Sequence, residues 1–318
     1  MRILLTGSNG QVGTEFCKLG KGTTEIISTG SRELDLTREQ EVRRFVRDAK
    51  PNVIVNAAAF SDVDAAERNW DVCFAINAIA PVVLAEEAHR LDALLIHYST
   101  DHVFDGSKAE PYTEADPTSP LNVYGASKVA GEQGIASSFA RALILRVSWI
   151  YSLQGESFLR SILQRTEHSD RLQVASDQVG APTSAKSIAR ATERLIRMYA
   201  NSRKMQFPTG IYHLTASGST SRYGFASAIL HAAFQQKAPN VGPILTNVAP
   251  ILTAGHSSVA RRPKNSLLSC QKFLTTFGFQ LASWQQQLEE VIAEVLIDSS
   301  SAEMVKSAYN LLQIEQLQ

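Results

Sequence analysis

The chain has 318 residues, with 31 basic and 31 acidic side chains and a formal net charge of zero. Balanced charge without a basic stripe argues against a nucleic-acid partner, and no apolar run reads as long enough to cross a bilayer, so no membrane partner is expected. With 44% hydrophobic and 19% charged residues, the composition is that of a globular protein with material for one large domain or two ordinary ones.

Three well-separated cysteines, Cys17, Cys73 and Cys270, argue against a disulfide framework and for a reducing compartment. They lack zinc spacing and read as small buried hydrophobes; no metal site is expected. The opening Met1 to Gly7 runs straight into a glycine loop without a secretory cleavage pattern, so the expected location is cytoplasmic.

Residues Arg2 to Thr6 read as an apolar strand, followed by Gly7-Ser8-Asn9-Gly10-Gln11-Val12-Gly13 and an amphipathic helix to about Lys18. Strand, glycine turn and helix form the context of a phosphate-binding loop, in which backbone N–H groups at a helix start meet a pyrophosphate. Gly7, Asn9, Gly10, Gln11, Val12 and Gly13 are therefore cofactor candidates.

A second strand, Glu25 to Ser28, exits at Thr29-Gly30-Ser31-Arg32, where an adenosine ribose would sit. Ser31 and Arg32 suit a 2′-phosphate and lean toward NADPH; Arg32 read as a plain solvated charge is the alternative. Glu33 and Asp35 keep NADH open, and the alternative reading of Asp35-Leu36 is that the pair edges the adenine.

Glu39 to Ala49 is an amphipathic helix stopped before Pro51, and Asn52 to Asn56 the third strand. Ala57, Ala58 and Ala59 at its carboxyl end would let a flat cofactor lie close to backbone. Asp71 to Leu91 reads as mostly helical, carries Asn77 as a further cofactor candidate, and has Pro81 as an expected kink or break. The fourth strand, Leu94 to Ser99, ends in hydroxyls at Thr100. Strands alternating with helices at this spacing mean an α/β fold of the Rossmann type, a doubly wound parallel sheet.

The loop from Asp101 leads through Pro111, Pro117 and Pro120 to Asn122-Val123-Tyr124-Gly125-Ala126-Ser127-Lys128. Tyr124 and Lys128, four apart, share one helix face. A cation beside a phenol favours the phenolate, so Tyr124 is expected to release its proton nearer neutral pH and to act as a general acid. Thr100, at the carboxyl end of its strand, faces the same crevice. His102 reads as a wall residue touching substrate. Further on, Ala142 to Arg146 is a strand, Ser184 to Tyr199 a helix, Gly210 to Leu214 a strand, and Arg222 to Gln236 and Ser283 to Ile297 helices.

The motifs in sequence resemble those of an extended short-chain dehydrogenase/reductase. More narrowly, Val55-Asn56-Ala57-Ala58-Ala59, Val63-Asp64-Ala65-Ala66-Glu67, His97-Tyr98-Ser99-Thr100-Asp101, Pro120-Leu121-Asn122-Val123-Tyr124-Gly125, Asp177 to Thr183 and Ala260 to Ser266 resemble the dTDP-4-dehydrorhamnose reductase family, over residues 1 to about 297. The resemblance implies NADPH-dependent reduction of the 4-keto group of dTDP-4-dehydro-L-rhamnose to dTDP-L-rhamnose. It implies Thr100, Tyr124 and Lys128 as the catalytic trio, with Tyr124 giving the proton, Thr100 binding the keto oxygen and Lys128 holding the nicotinamide ribose. Thr100, Asp101, His102, Trp149 and Arg261 or Arg262 would contact the sugar nucleotide.

The resemblance also implies a nucleotide-binding domain from residues 1–149 and about 181–215, a smaller α/β substrate lobe from about 150–180 and 216–297, and an extension, 298–318, of open role. A homodimer is compatible with it. His102 stands where the family usually has tyrosine, Ser157 where it has an amide, and Lys186 where some members carry an acidic residue that binds magnesium at a subunit contact, so no such metal is expected. The readings that stay beside it are an epimerase, another sugar-nucleotide reductase, and a non-catalytic NADP-binding regulatory subunit.

Overall fold

The computed structural model describes residues 1–19, 25–165, 171–235, 248–255 and 258–295. Six strands build one parallel sheet: β1 (Arg2–Thr6), β2 (Glu25–Thr29), β3 (Val53–Asn56), β4 (Leu94–Thr100), β5 (Arg141–Val147) and β6 (Gly210–His213). Their spatial order is β6-β5-β4-β3-β1-β2, so the winding reverses at β1 and opens a crevice beyond the carboxyl ends of β1 and β3.

Both faces of the sheet are covered, which is why its strands read as continuous apolar runs instead of alternating ones. Leu5, Val55 and Ile96 pack with Phe16, Ile188 and Leu195 on one side, while Leu4, Ile54 and Leu95 pack with Val42, Val46 and Leu84 on the other. Ile54 and Leu95 are fully buried, each stabilising the fold by about 1.5–3 kcal/mol. A second core gathers Leu159, Ile162, Phe225, Trp284 and Leu288 from the helices Phe158–Arg165, Arg222–Gln235 and Trp284–Val295, with Tyr151 from the strand Ile150–Tyr151. Phe273 and Phe277 pack in the sheet's own core, although the sequence division assigns their segment to the second lobe. Their helix, Gln271–Phe277, closes on a left-handed Gly278 (φ 70°).

The helix that carries Pro81 changes its winding just before the proline. The stretch passes from an α-helix, Trp70–Phe74, through a π-helical turn, Ala75–Ile79, into an α-helix, Ala80–Arg90, and Pro81 falls at the start of that last segment, where its missing N–H is least costly. The same stretch, Trp70–Arg90, is long and apolar enough by composition to span a membrane, contrary to expectation, but more than half of it is buried inside the fold and it packs as a core helix. Cys17 is exposed, whereas Cys73 is buried; the reading as a buried hydrophobe fails for Cys17 because it lies on the solvent side of the Gln11–Leu19 helix. The extension 298–318 lies outside the described residues.

Candidate active site

The glycine loop leaves β1 and folds back on the end of β3. Gly7 adopts φ 72°, and a Cβ there would lie 2.5 Å from the Ala58 nitrogen, so only glycine lets the loop seat against Ala57 and Ala58. A Cβ on Gly13 would meet the Gly7 carbonyl oxygen at 2.1 Å, which fixes the loop on the first helical turn. The helix Gln11–Leu19 begins at once, presenting its initial N–H groups at the crevice as an anion site needs. Gln11 donates from Nε2 to the Glu156 carbonyl at 3.0 Å, and its buried Oε1 has no partner. That orphaned acceptor, with the glycine cradle and the small Ala57-Ala58 end, fits a dinucleotide.

At the tip of β2 both nearby carboxylates are already engaged. Glu33 accepts from the Gly30 N–H at 2.8 Å, and Asp35 accepts from the Thr37 N–H and hydroxyl at 2.9 and 2.7 Å. These Thr37 bonds hold the Asp35 carboxyl below its usual range, with Arg38 adding to them. Ser31 and Arg32 are exposed, and Arg32 has no ion-pair partner among the described residues. Leu36 is half-buried beside them.

Asn77 does not face the crevice. It is fully buried, its Oδ1 accepts from the Phe60 N–H at 2.9 Å and its Nδ2 donates to the Phe60 carbonyl and Ser127 Oγ, both at 3.0 Å. The sequence expectation of a cofactor contact is corrected by that geometry: the π-helical turn directs the amide inward, where it ties the 60s loop to the Tyr124 helix.

The helix Val123–Ser137 is capped by Asn122, whose Oδ1 accepts from the Gly125 N–H at 2.8 Å. A Cβ on Gly125 would stand 2.2 Å from the His102 carbonyl oxygen, so the glycine after Tyr124 brings the helix start against the loop that leaves β4. This seats Tyr124 beside Thr100, with which it shares a hydrogen bond. Thr100 donates from Oγ1 to Asp101 Oδ1 at 3.2 Å and accepts from the His102 N–H at 3.1 Å. Its single hydroxyl proton reaches Asp101 in this arrangement and, by rotation about Cβ–Oγ1, an oxygen placed beside Tyr124. Asp101 Oδ2 is buried without a partner.

His102 meets the Tyr124 ring edge-on, 5.5 Å between centroids, with its Nδ1 3.0 Å from Asn122 Nδ2; the histidine braces the phenol and is almost sealed, at 9% exposed. Burial holds His102 below its usual range, with Asp101 opposing. Lys128 is 2% exposed and donates to the Tyr98 carbonyl at 2.5 Å. Desolvation lowers its pKa to about 8.

Tyr124 departs from the sequence expectation. Its pKa is pushed up to about 12, first by desolvation and against the Thr100 hydrogen bond. Packing around the ring outweighs the help of a lysine whose ammonium is turned to the Tyr98 carbonyl. A phenol that keeps its proton at working pH is suited to donate it.

Trp149 follows β5 in a left-handed conformation, φ 48°. Its indole lies between Gly180, where a Cβ would come within 2.5 Å of the ring, and the guanidinium of Arg222, 3.8 Å from the ring centroid. Arg262 is committed elsewhere: it pairs with Asp64 at 2.6 Å and also donates to Ser258 Oγ, which staples its segment to the Val63–Ala66 helix. Arg261 is exposed, and its carbonyl accepts from Asn122. Ser157 donates to the Ser152 carbonyl and accepts from the Arg160 N–H, capping a helix. Lys186 pairs with Glu290 at 2.7 Å and with Glu294.

A family model described as the RmlD substrate binding domain matches residues 1–297. The chain belongs to that family. It is 39% identical over 298 residues to a dTDP-4-dehydrorhamnose reductase of Burkholderia thailandensis, covering 93% of this chain and 99% of that one. Among solved structures it is similar to a dTDP-4-dehydrorhamnose reductase of Clostridium acetobutylicum, at TM-score 0.85 and 35% identity, covering 93% and 100% of the two chains. It is also similar to one of Bacillus anthracis in complex with NADP, at TM-score 0.82 and 32% identity, covering 92% and 99%. The resemblance read from the motifs and the α/β parallel-sheet fold are both borne out.

As a member of the RmlD family the chain carries one crevice residue that sequence reasoning missed. Arg222 has no carboxylate partner among the described residues, stacks on Trp149 and lies 5.0 Å from the Phe158 ring. Burial lowers its pKa to about 10, with Asp101 opposing and Arg262 adding to the depression. Only its place at the first turn of a helix, where a cation is unfavourable to the dipole, marked it in sequence.

Proposed function

We propose that the chain is an NADPH-dependent reductase of the 4-keto group of dTDP-4-dehydro-L-rhamnose, giving dTDP-L-rhamnose. What supports this is Tyr124 seated beside Thr100, with Lys128 one turn further along the same helix, in a chain whose relatives bear that enzyme's name. A reduced nicotinamide supplies hydride when bound. The protein's own residues do the rest. Tyr124, protonated throughout the neutral range, donates to the oxygen that gains charge, and Thr100 fixes that oxygen's place. Gly7, Asn9, Gly10, Gln11, Val12 and Gly13 would hold the pyrophosphate, with Ala57 and Ala58 beneath it and Lys128 on the ribose.

The sugar would lie between Trp149 and Tyr124 with Asp101 and His102 as its wall, and its diphosphate would meet Arg261 and Arg222, because Arg262 is tied to Asp64. We assign nucleotide binding to the lobe built on the six-stranded sheet and substrate binding to the lobe with the second core. A cytoplasmic location suits a pathway on soluble sugar nucleotides. NADPH oxidation with dTDP-4-dehydro-L-rhamnose generated in place tests the reaction; saturable NADPH binding with no turnover would refute it.

Two variants test the binding assignments. Arg32→Ala is expected to weaken NADPH by about tenfold or more and NADH far less, as loss of a charge-assisted phosphate contact does; equal weakening would remove Arg32 as the phosphate reader. Arg222→Ala is expected to raise the KM for the sugar nucleotide roughly tenfold with NADPH affinity unchanged. An unchanged KM would place Arg222 outside the substrate site.

A further inference from the structure

Thr6 on β1, Asn56 on β3 and His97 on β4 stand in one register row across the sheet. In parallel strands buried on both faces such a row is ordinarily apolar. Here it is a hydrogen-bonded chain. Thr6 Oγ1 donates to Asn56 Oδ1 at 2.7 Å, Asn56 Nδ2 lies 3.0 Å from His97 Nδ1, and His97 Nε2 lies 3.5 Å from Lys128 Nζ. Thr6 and Asn56 are 1% exposed and His97 fully buried, so each polar atom must find its partner within the row.

The chemistry of the row has a direction. The Thr6 hydroxyl takes the amide oxygen, which leaves the amide N–H to the histidine. Nδ1 then accepts, and a neutral imidazole with Nδ1 accepting carries its proton on Nε2. That N–H faces Lys128. An ammonium gains nothing from an opposing N–H, whereas a neutral amine offers it a lone pair.

We propose that the Thr6–Asn56–His97 row is a positioning device for Lys128, selecting the His97 tautomer that faces it and thereby setting the charge the lysine carries. This rests on the reading of Lys128 as the ribose-binding cation of the reductase. The other groups facing the lysine are Glu132 on its own helix and Cys73 from the Trp70–Phe74 helix; Tyr124 lies one turn before it. Glu132 is bonded to Arg146 through both oxygens, which weakens its hold on the lysine and leaves the row as its close neutral contact beside the Tyr98 carbonyl. Burial already lowers the lysine to about 8, and the row acts in the same direction.

The test is the basic limb of two pH profiles, kcat/KM for the sugar nucleotide and NADPH binding followed by nicotinamide fluorescence. In Asn56→Asp a carboxylate accepts from His97 Nδ1–H and turns the Nε2 lone pair to the lysine. In Thr6→Val, nearly isosteric and expected to fold, the amide is released to present its oxygen to Nδ1. Both limbs are expected to rise, by about one unit in Asn56→Asp and by less in Thr6→Val. Limbs that move by less than about 0.3 unit in folded Thr6→Val protein would overturn the proposal, whatever Asn56→Asp does. The binding profile keeps its meaning if the reaction proves to be a different one, so failure of the row and failure of the reductase reading are told apart.

Discussion

Tyr124→Phe is expected to retain NADPH binding while losing roughly two or more orders of magnitude in turnover. The hydroxyl is the one group removed; the ring keeps its edge contact with His102 at 5.5 Å and the helix keeps its Asn122 cap. Cofactor affinity is therefore a control for the fold of the crevice. Burial has raised the phenol to about 12, so the parent enzyme holds this proton across the neutral range, ready for an oxygen that gains charge beside Thr100. Turnover within a few-fold of the parent would mean that the proton comes from elsewhere.

Glu132→Ala is expected to cost about 3–5 kcal/mol in folding stability, because it leaves a guanidinium buried without its counter-charge. Arg146 and Glu132 are each 3% exposed and meet through two bonds, at 2.8 and 2.6 Å. Arg146 also faces the Phe104 ring, 5.1 Å away, and His213, whose Nε2 is 3.4 Å from Nη1. His213 cannot take over as an anion, and burial, with Arg146 adding to it, pushes its pKa down to about 3. Chemical denaturation reads the difference directly; a loss below about 1 kcal/mol would show that the pair is no better than a surface one.

Much of the six-stranded part was legible because its signals are local. A glycine trio between strand and helix, an Asn122 cap and a Tyr124–Lys128 spacing are each decided within a few residues, and the helix Glu39–Ala49 was bounded as observed. What was missed depends on contacts between segments far apart in the chain. Arg262 was read as one of two candidate substrate contacts, and its pairing with Asp64 needs two segments brought together across the fold; the stacking of Arg222 on Trp149 is likewise invisible in sequence. Asn77 has the residue type of a ligand contact but points inward because the π-helical turn rotates its face. The high Tyr124 pKa was hidden for a different reason: sequence spacing gives the lysine's proximity but not the desolvation that outweighs it. Phe273 and Phe277 sit in a helix whose stop, Gly278, was in plain view, yet its packing under the six-stranded sheet needed the return of the chain from the second lobe.

The measurement that tests the account most directly is transfer of deuterium. NADPH labelled at the transferable position of the nicotinamide is incubated with the protein and dTDP-4-dehydro-L-rhamnose, and the product is read by mass and by proton resonance. Deuterium bonded to C4 of dTDP-L-rhamnose, one atom for each NADPH consumed, is the predicted result. An unlabelled product formed without net loss of NADPH, as an epimerase would give, would contradict it.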